Sequence, residues 1–540
     1  MTLEAPDLRR DLTAALAVTF LAAPQGIAYA LIAGLPPAMG LYAACLPAIV
    51  GSLLRSSKHV VAGPTNALSL LVGTAVISSG MDPTSTALTL ALLVGAIQLG
   101  AGLFRLGVLV DYISTPVVVG YITGAGVLIA VGQIDNVVVS PIAIATATAV
   151  AAGIVGIRYF KPSFPAAALL LAAATLASWA ADFASLGVQR IGDLAAIPYG
   201  LPPLTVPDIS VAQVTALLPV AVAATVLSLV ESSSVARAIS ARSGQRLNLD
   251  AEFRGQGLAN LTAAFTGGYP ISGSLSRSAL NYQIGAKTRW AGVFAGAMIL
   301  VVLLLLGPAL NYTPVAALAG LLMVVAWDLI DRERIRKVLQ SGTGDAAAFA
   351  ATLVGTWVLP LDKAIYLGVF ISLVIFLRRS RQLVISDLRI GPRGNLREFG
   401  VDEVGGRGCE HIRILHIEGQ LFFAAASELE SALAEVTADP ELRVLILRIK
   451  RTQGLDITAA EVLKATSDRL RNQGRHLILV GMREPAMHVL EASGITENLF
   501  PTQRRWFAAM NEAVRAGLDL LEDHEQPCDL ENWTGQPNPN

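Results

Sequence analysis

Residues 290–310 read WAGVFAGAMILVVLLLLGPAL, twenty-one residues without a charge. As a helix, such a stretch rises about 1.5 Å per residue and matches the roughly 30 Å hydrocarbon core of a bilayer. Lipid offers no partner to a backbone N–H or C=O, so a chain built from such stretches must cross as helices. Comparable apolar segments lie at 12–34, 37–54, 64–79, 86–105, 108–133, 137–157 and 164–185. A second series lies at 211–239, 254–266, 272–286, 290–310, 314–331, 345–360 and 362–378. The Pro-rich connection IPYGLPPLTVPD divides them, which predicts fourteen segments as two sets of seven. Segments 64–79, 254–266 and 272–286 are too short to cross alone.

Composition agrees with a membrane body. Hydrophobic residues make up 53% of the 540 and charged ones 15%, against roughly 25% charged in soluble domains. A net charge of −1 gives no pull toward nucleic acid. The three cysteines, Cys45, Cys409 and Cys528, are far apart and form neither a disulfide framework nor a metal motif. The histidines are scattered, and no cleavable leader is expected. With the N-terminus inside, Arg9, Arg10, Arg55, Lys58, Arg105, Arg158 and Lys161 face the cytoplasm, as do the cationic clusters near 237–254, 287–289, 332–337 and 378–381. The opposite side receives Arg190 and Lys363, in keeping with the positive-inside rule. Both termini are therefore expected in the cytoplasm of a bacterial-type inner membrane.

The short third segments carry the chemistry. VAGPTNALSLLVG and GGYPISGSLSRSALN each place proline and glycine before a short apolar helix, and Pro64 and Pro270 stand 206 positions apart (64 to 270). Interrupted helices at equivalent places in two halves mark substrate sites in inverted-repeat transporters. Half-helices starting at Pro64 and near Ser272 would turn unpaired N–H groups and positive dipole ends toward the midplane, a site for an anion. Ser274, Ser276 and Arg277 lie on the second of these, and an intramembrane arginine is by default functional. Glu231, in TVLSLVESSSVARAIS, is the counter-charge expected to pair with Arg277 and to exchange a proton. Gln25 and Tyr29, four apart on the first helix, are expected to line the same cavity.

PPAMGLYAACLPAIVGSLLRSSKHVVAGPTNALSLL, LVESSSVARAI and GYPISGSLSRSALNYQIGAKT resemble the signature regions of the SulP anion permeases, which include sulfate, bicarbonate and dicarboxylate transporters. The resemblance covers nearly the whole chain. It implies a seven-plus-seven inverted-repeat fold with core and gate (scaffold) domains, and a homodimer. It also implies substrate contacts at Gln25, Tyr29, Pro64, Thr65, Asn66, Ser274, Leu275, Ser276 and Arg277, and a coupling carboxylate at Glu231. Sodium-coupled relatives use aspartate and hydroxyls in this area, so Glu231 favours protons.

From His411 onward, short β-rich runs alternate with helical ones, an α/β pattern. This part resembles the STAS domain that ends such permeases. By analogy with bacterial STAS regulators, Thr458 in GLDITAAEV takes the place of a phosphorylated residue, while plain helix capping by Asp456 is the structural reading. Expected boundaries are a transport domain over 1–390 (repeats about 8–190 and 208–380), a cytoplasmic STAS domain over 391–515 and a disordered acidic tail over 516–540. The cluster DRERIRKVLQ reads as a cytoplasmic turn.

Together these readings predict a secondary active transporter of a small anion of the dicarboxylate, sulfate or bicarbonate class, coupled to protons and working by alternating access. It would need no cofactor and no resident metal, and would not be an enzyme. The alternatives are an uncoupled or sodium-coupled anion exchanger or channel on the same fold, or a nucleobase permease.

Overall fold

The structure is a computed structural model that describes residues 7–161, 164–392, 395–400, 406–482, 484–495, 506–521 and 528–533. Two compact units make up the chain, Met1–Leu373 and Val374–Asn540. In the first, α1 (Leu8–Ile32), α2 (Pro37–Ala44), α3 (Leu46–Leu54), β1 (Ala62–Gly63), α4 (Asn66–Ser79) and α5 (Pro83–Leu103) open the first half. It continues with α6 (Thr115–Gly132), α7 (Ile134–Val137), α8 (Pro141–Phe160) and α9 (Ala166–Ala180). After the short α10 (Ile191–Leu194), the second half runs α11 (Val211–Ser243), α12 (Leu249–Phe265), β2 (Ser272–Gly273), α13 (Leu275–Ile284) and α14 (Trp290–Leu310). It ends with α15 (Val315–Leu329), α16 (Arg332–Gln340), α17 (Thr343–Val358) and α18 (Leu361–Ser380).

Local chemistry sets many of these ends. Asp82 caps α5 by accepting from Ser85 N–H at 2.8 Å, with Pro83 at the first turn, where a missing N–H costs nothing. Ser140 caps α8 in the same way ahead of Pro141. Pro47 divides the second span into α2 and α3 at Cys45. Seven helical segments among the described residues are long and apolar enough to cross a membrane: 8–32, 37–54, 83–103, 115–137, 141–160, 211–243 and 290–310. The remaining expected spans form shorter or more charged helices, so the count of fourteen crossings rests on sequence. The second half-helix also starts later than expected: Ser272–Gly273 is strand, and α13 begins at Leu275.

The two halves exchange equivalent partners. Helix α5 packs on α11 and α12, and its counterpart α14 packs on α1 and α3. Likewise α6 meets α17 as α15 meets α8, and α4 meets α11 as α13 meets α1. Strands β1 and β2 pair antiparallel, Ala62 with Gly273 and Gly63 with Ser272. Exchanged partners around an antiparallel pair are what a two-fold relation between inverted halves requires.

Non-helical backbone inside an apolar body must find polar partners. Ile271 N–H donates to Asn260 Oδ1 at 2.7 Å. The Ile271 carbonyl accepts from Ser228 Oγ (3.0 Å), Gln256 Nε2 (2.8 Å) and Asn260 Nδ2 (3.1 Å). Gln98 of α5 ties these together, donating to Ser228 Oγ and accepting from Asn260. Buried amides and hydroxyls of α5, α11 and α12 thus replace water around the approach to β2.

In the second unit, six strands are ordered β4-β3-β5-β6-β7-β8, comprising β3 (Val384–Ile390), β4 (Leu396–Phe399), β5 (Ile412–Gln420), β6 (Val444–Gln453), β7 (His476–Val480) and β8 (Trp506–Phe507). β3 is antiparallel to β4 and β5; the pairs from β5 to β8 are parallel. Alternation along the strands makes two cores. Leu415, Ile417, Leu445, Leu447, Leu477 and Leu479 face one side, with residues of α19 (Ala426–Thr437), α20 (Ile457–Asn472) and α21 (Glu484–Ala492). Ile412, Ile414, Val444, Ile446, Ile478 and Val480 face the other, with α22 (Met510–Asp519) and α23 (Asp529–Trp533).

Two sequence expectations change here. β3 belongs to this sheet, so the transport domain cannot extend to residue 390. Within the expected disordered tail, α22 runs to Asp519 and α23 buries Cys528 and Leu530; residues 522–527 and 534–540 lie outside the described set. Cys409 and Cys528, remote in sequence, join one core as free thiols.

Helices α5 and α12 touch backbone to backbone. A Cβ on Gly257 would sit 2.5 Å from Leu99 N and 2.9 Å from Gly95 O. Gly257→Ala is therefore expected to lower the thermal midpoint of the detergent-purified protein, by about 1–3 kcal/mol of overpacking. Gly100→Ala, with nothing within 4 Å of its new methyl, should leave the midpoint unchanged or raise it. Equal midpoints for the two variants would remove the close approach as a determinant of stability.

Candidate functional site

Each strand of the antiparallel pair feeds a helix, β1 through Pro64 and Thr65 into α4 and β2 through Ser274 into α13. Because the strands run in opposite directions, both helix N-termini look back on the same short bridge. Their unpaired N–H groups and positive dipole ends converge there. Bonds from each half hold the bridge: Ser274 N–H donates to Val61 O at 3.0 Å, and Val61 N–H to Ser278 Oγ at 3.0 Å. Asn281 Nδ2 donates to His59 O at 3.0 Å. On the α11 side, Gly273 N–H donates to Ser232 Oγ at 2.7 Å, and Ser272 Oγ to Ser228 O at 3.0 Å.

Arg277 is 1% exposed and lies in the first turn of α13. Its N–H reaches the capping Ser274 Oγ at 3.4 Å, and its Nη2 donates to the carbonyl of Pro64, at the start of the other half-helix. Nε has no protein partner, and among the described residues no carboxylate pairs with the guanidinium. A guanidinium offers five N–H donors, so a buried cation with donors to spare stands beside two helix N-termini. Gly63 makes the approach possible. Its φ is +154°, and a Cβ there would sit 2.2 Å from Arg277 Nη1.

Glu231 corrects the sequence reading. It does not pair with Arg277; its Oε2 accepts from Thr65 Oγ1 at 3.0 Å. Thr65 is the N-cap of α4, yet its hydroxyl makes no capping bond, because it serves the carboxylate instead. The acid of the second half is thus wired to the same N-terminus whose preceding carbonyl holds Arg277.

Of the other sequence candidates, Gln25 and Tyr29 are buried on α1, which packs on both α4 and α13. Gln25 Oε1 is without a partner, and Tyr29 lies within electrostatic reach of Arg277 and Glu231. Asn66 turns its Oδ1 onto Ala67 N–H at 2.8 Å. Ser276 approaches Ser274, Oγ to Oγ, at 3.4 Å; Leu275 and Ser276 are exposed. Thr458 lies in the second unit, exposed in the first turn of α20, and Asp456 caps that helix through Ala459 N–H at 3.0 Å. The expected cap is therefore in place.

Sequence reasoning missed several polar groups. Tyr269 OH meets Ser69 Oγ at 3.0 Å, joining the segment before β2 to α4. Tyr121 OH is buried without a partner. Arg277 and Glu231 are also not the only charged residues inside this body. Arg55 and Glu252, both buried, stand 3.9 Å apart, and Arg55 also donates to Gln256 Oε1 and Gly51 O. Asp11, fully buried, accepts from Thr288 Oγ1 and from the N–H groups of Lys287 and Thr288. The signal for the first pair was present: Glu252, Gln256 and Asn260 recur at i, i+4 and i+8 on one face of α12.

Binding of an inorganic or organic anion to the purified protein can be read by calorimetry. Removing a charged hydrogen-bonding partner costs about 1.5–3 kcal/mol, so Arg277→Ala should weaken the tightest-binding anion about 10-fold or more. Gly63→Ala should approach the same loss by displacing the guanidinium. Unchanged affinity in both variants would show that the anion does not use Arg277.

Comparisons with known proteins bear on the family and the fold. Residues 8–154 and 139–352 match the sulfate permease family, and residues 407–510 match the STAS domain. A protein of Mycobacterium tuberculosis (strain ATCC 25618 / H37Rv) named "Probable sulfate transporter Rv1739c" is 28% identical over 523 residues, covering 91% of this chain and 92% of its own. The fold matches the murine Slc26a9 anion transporter in its inward-facing state, with a TM-score of 0.86 at 18% identity over 96% of this chain and 92% of that one. It also matches the transmembrane domain of the cyanobacterial bicarbonate transporter BicA, with a TM-score of 0.58 at 21% identity over 69% and 98%. The relatives are transporters rather than enzymes. With the family's match running from residue 8 to residue 352 and a STAS domain after it, this chain belongs to the sulfate permease family.

Proposed function

We propose that this protein is a secondary active transporter that carries a small anion of the dicarboxylate, sulfate or bicarbonate class together with a proton. The observation that carries the reading is the double attachment at the start of α4, with Arg277 on the Pro64 carbonyl and Glu231 on the Thr65 hydroxyl. The anion would occupy the remaining donors of Arg277 and the free N–H groups of α4 and α13. Gln25, Tyr29, Thr65, Asn66, Ser274, Leu275 and Ser276 would line its place. As the anion arrives, its negative charge favours protonation of Glu231, because like charges close together disfavour two ionised groups. A neutral carboxyl still accepts from Thr65, so the tie between Glu231 and the start of α4 persists through the proton's entry and exit.

The proposed cycle needs no cofactor. Fourteen crossings would place both termini and the STAS domain in the cytoplasm of a bacterial-type inner membrane, in a homodimer. Rigid movement of the core carrying β1, β2, α4 and α13 against the gate would expose the bridge to either side. In the STAS domain, Thr458 would be open to phosphorylation.

Liposomes free of sodium and containing a pH-sensitive dye provide the test. Sulfate, bicarbonate, chloride and C4-dicarboxylates are added one at a time, with protein-free vesicles as the control for acid leak. Protein-dependent acidification by one anion is expected. Glu231→Gln should lose that acidification while still exchanging labelled anion across the membrane. If the wild type moves labelled anion without protons, the coupling assignment is wrong and an uncoupled exchanger or channel replaces it. If it does so only with sodium present, sodium coupling replaces it.

A further inference from the structure

The cationic cluster between α15 and α17 has no part in the transport reading. Its sequence suggests a turn, but Arg332–Gln340 form the helix α16, capped by Asp331 through Arg334 N–H at 3.0 Å. Ile335 and Val338 fasten the helix to the membrane body, packing with Val119 of α6 and Phe349 of α17. Arg332, Arg336 and Leu339, at i, i+4 and i+7, share one flank beside that buried face. All three are exposed.

Charge is sorted around this helix. Asp331 pairs with Arg334 at 3.2 Å, Glu333 with Lys337 at 2.6 Å, and Asp328 with Arg158 of α8 at 2.7 Å. Among the described residues, no carboxylate is left to pair with Arg332 or Arg336. Arg332 lies instead over the ring of Trp327, 4.5 Å from its centroid. Trp327, in the last turn of α15, is 62% exposed, and Leu339 is 53% exposed. The Arg158–Asp328 pair also brings the end of α8 alongside, where Tyr159 and Phe160 are exposed.

Two unpaired guanidinium groups and several bare apolar side chains ask for different neighbours. A soluble anion would satisfy the arginines and leave Trp327 and Leu339 in water. Hydrocarbon alone would cover those two and leave the arginines unpaired. A phospholipid of net negative charge supplies both. Its phosphate oxygens match the guanidinium fork, and its chains cover the apolar groups. Aromatic rings and long cationic side chains both settle at the boundary between hydrocarbon and water.

We propose that Arg332 and Arg336, with Trp327 and Leu339, form a binding site for the phosphate headgroup of an anionic phospholipid, on the side of the membrane expected to face the cytoplasm. Helix α16 then lies in the plane of the interface, and the lipid anchors the connection between α15 and α17. The inference needs only a chain embedded in a membrane, not the proton coupling proposed above.

The test uses the full-length protein purified in detergent. Phosphatidylglycerol or phosphatidylcholine is titrated in, and the lipid retained on each chain is counted by native mass spectrometry. Retention of phosphatidylglycerol against an excess of phosphatidylcholine is expected. Each cationic side chain near the headgroups is worth about 5-fold, so Arg332→Gln combined with Arg336→Gln should weaken phosphatidylglycerol about 10-fold or more. Glu333→Gln combined with Lys337→Gln removes a pair that is already neutral and should leave binding unchanged. Equal retention of the two lipids would overturn the site, as would an arginine variant that binds no more weakly than the paired-charge variant. Displacement of the lipid by an equal concentration of inorganic phosphate would also overturn it, leaving a site for a free anion. So would a change in oligomeric mass when the arginines are replaced in lipid-free detergent, which would assign the patch to contact between copies.

Discussion

Everything distinctive about the membrane body follows from one constraint: two short pieces of chain are not helical where the surroundings are apolar. Each unsatisfied backbone group there would cost several kcal/mol. The strands β1 and β2 satisfy one another, and the residue before β2 is taken up by Ser228, Gln256 and Asn260. The polar residues of α5, α11 and α12 are thus explained by the backbone they hold. The antiparallel pair also makes two positive helix ends share one place, which neither half could do alone.

Charge placement refines that frame. An arginine and a glutamate in one apolar body would ordinarily be read as an ion pair. Here each bonds instead to the opposite half, Arg277 to Pro64 O and Glu231 to Thr65 Oγ1. A direct pair would have neutralised the cation and removed its attraction for an anion. Keeping them on separate partners leaves the guanidinium charged, with donors to spare. Arg55 and Glu252, at 3.9 Å, show that the same body also accommodates the pairing that the site avoids.

Much of this was legible in the sequence because membrane spans and their punctuation are long-range, redundant signals. The two Gly-Pro interruptions, Arg277, and the division into a membrane part and an α/β part could be seen from residue types alone. What could not be seen was which polar group meets which. Thr65 looks like an ordinary helix cap, and only folding shows its hydroxyl turned toward Glu231. The boundary at residue 390 was set late because β3, VISDLRI, follows α18 after a short turn and is itself mostly apolar. The tail read as disordered from its acidic, proline-containing composition, but Cys528 and Leu530 find a hydrophobic face made by strands far earlier in the chain.

The antiparallel bridge also sets the order in which the protein can be made. β1 leaves the ribosome about 210 residues before β2, which at roughly 5–20 residues per second is a delay of about 10–40 s. Throughout that interval the Pro64 carbonyl has no guanidinium and Ala62–Gly63 has no strand to pair with. Until the second half is made, the backbone groups of that segment need water or another polar partner, because lipid offers none.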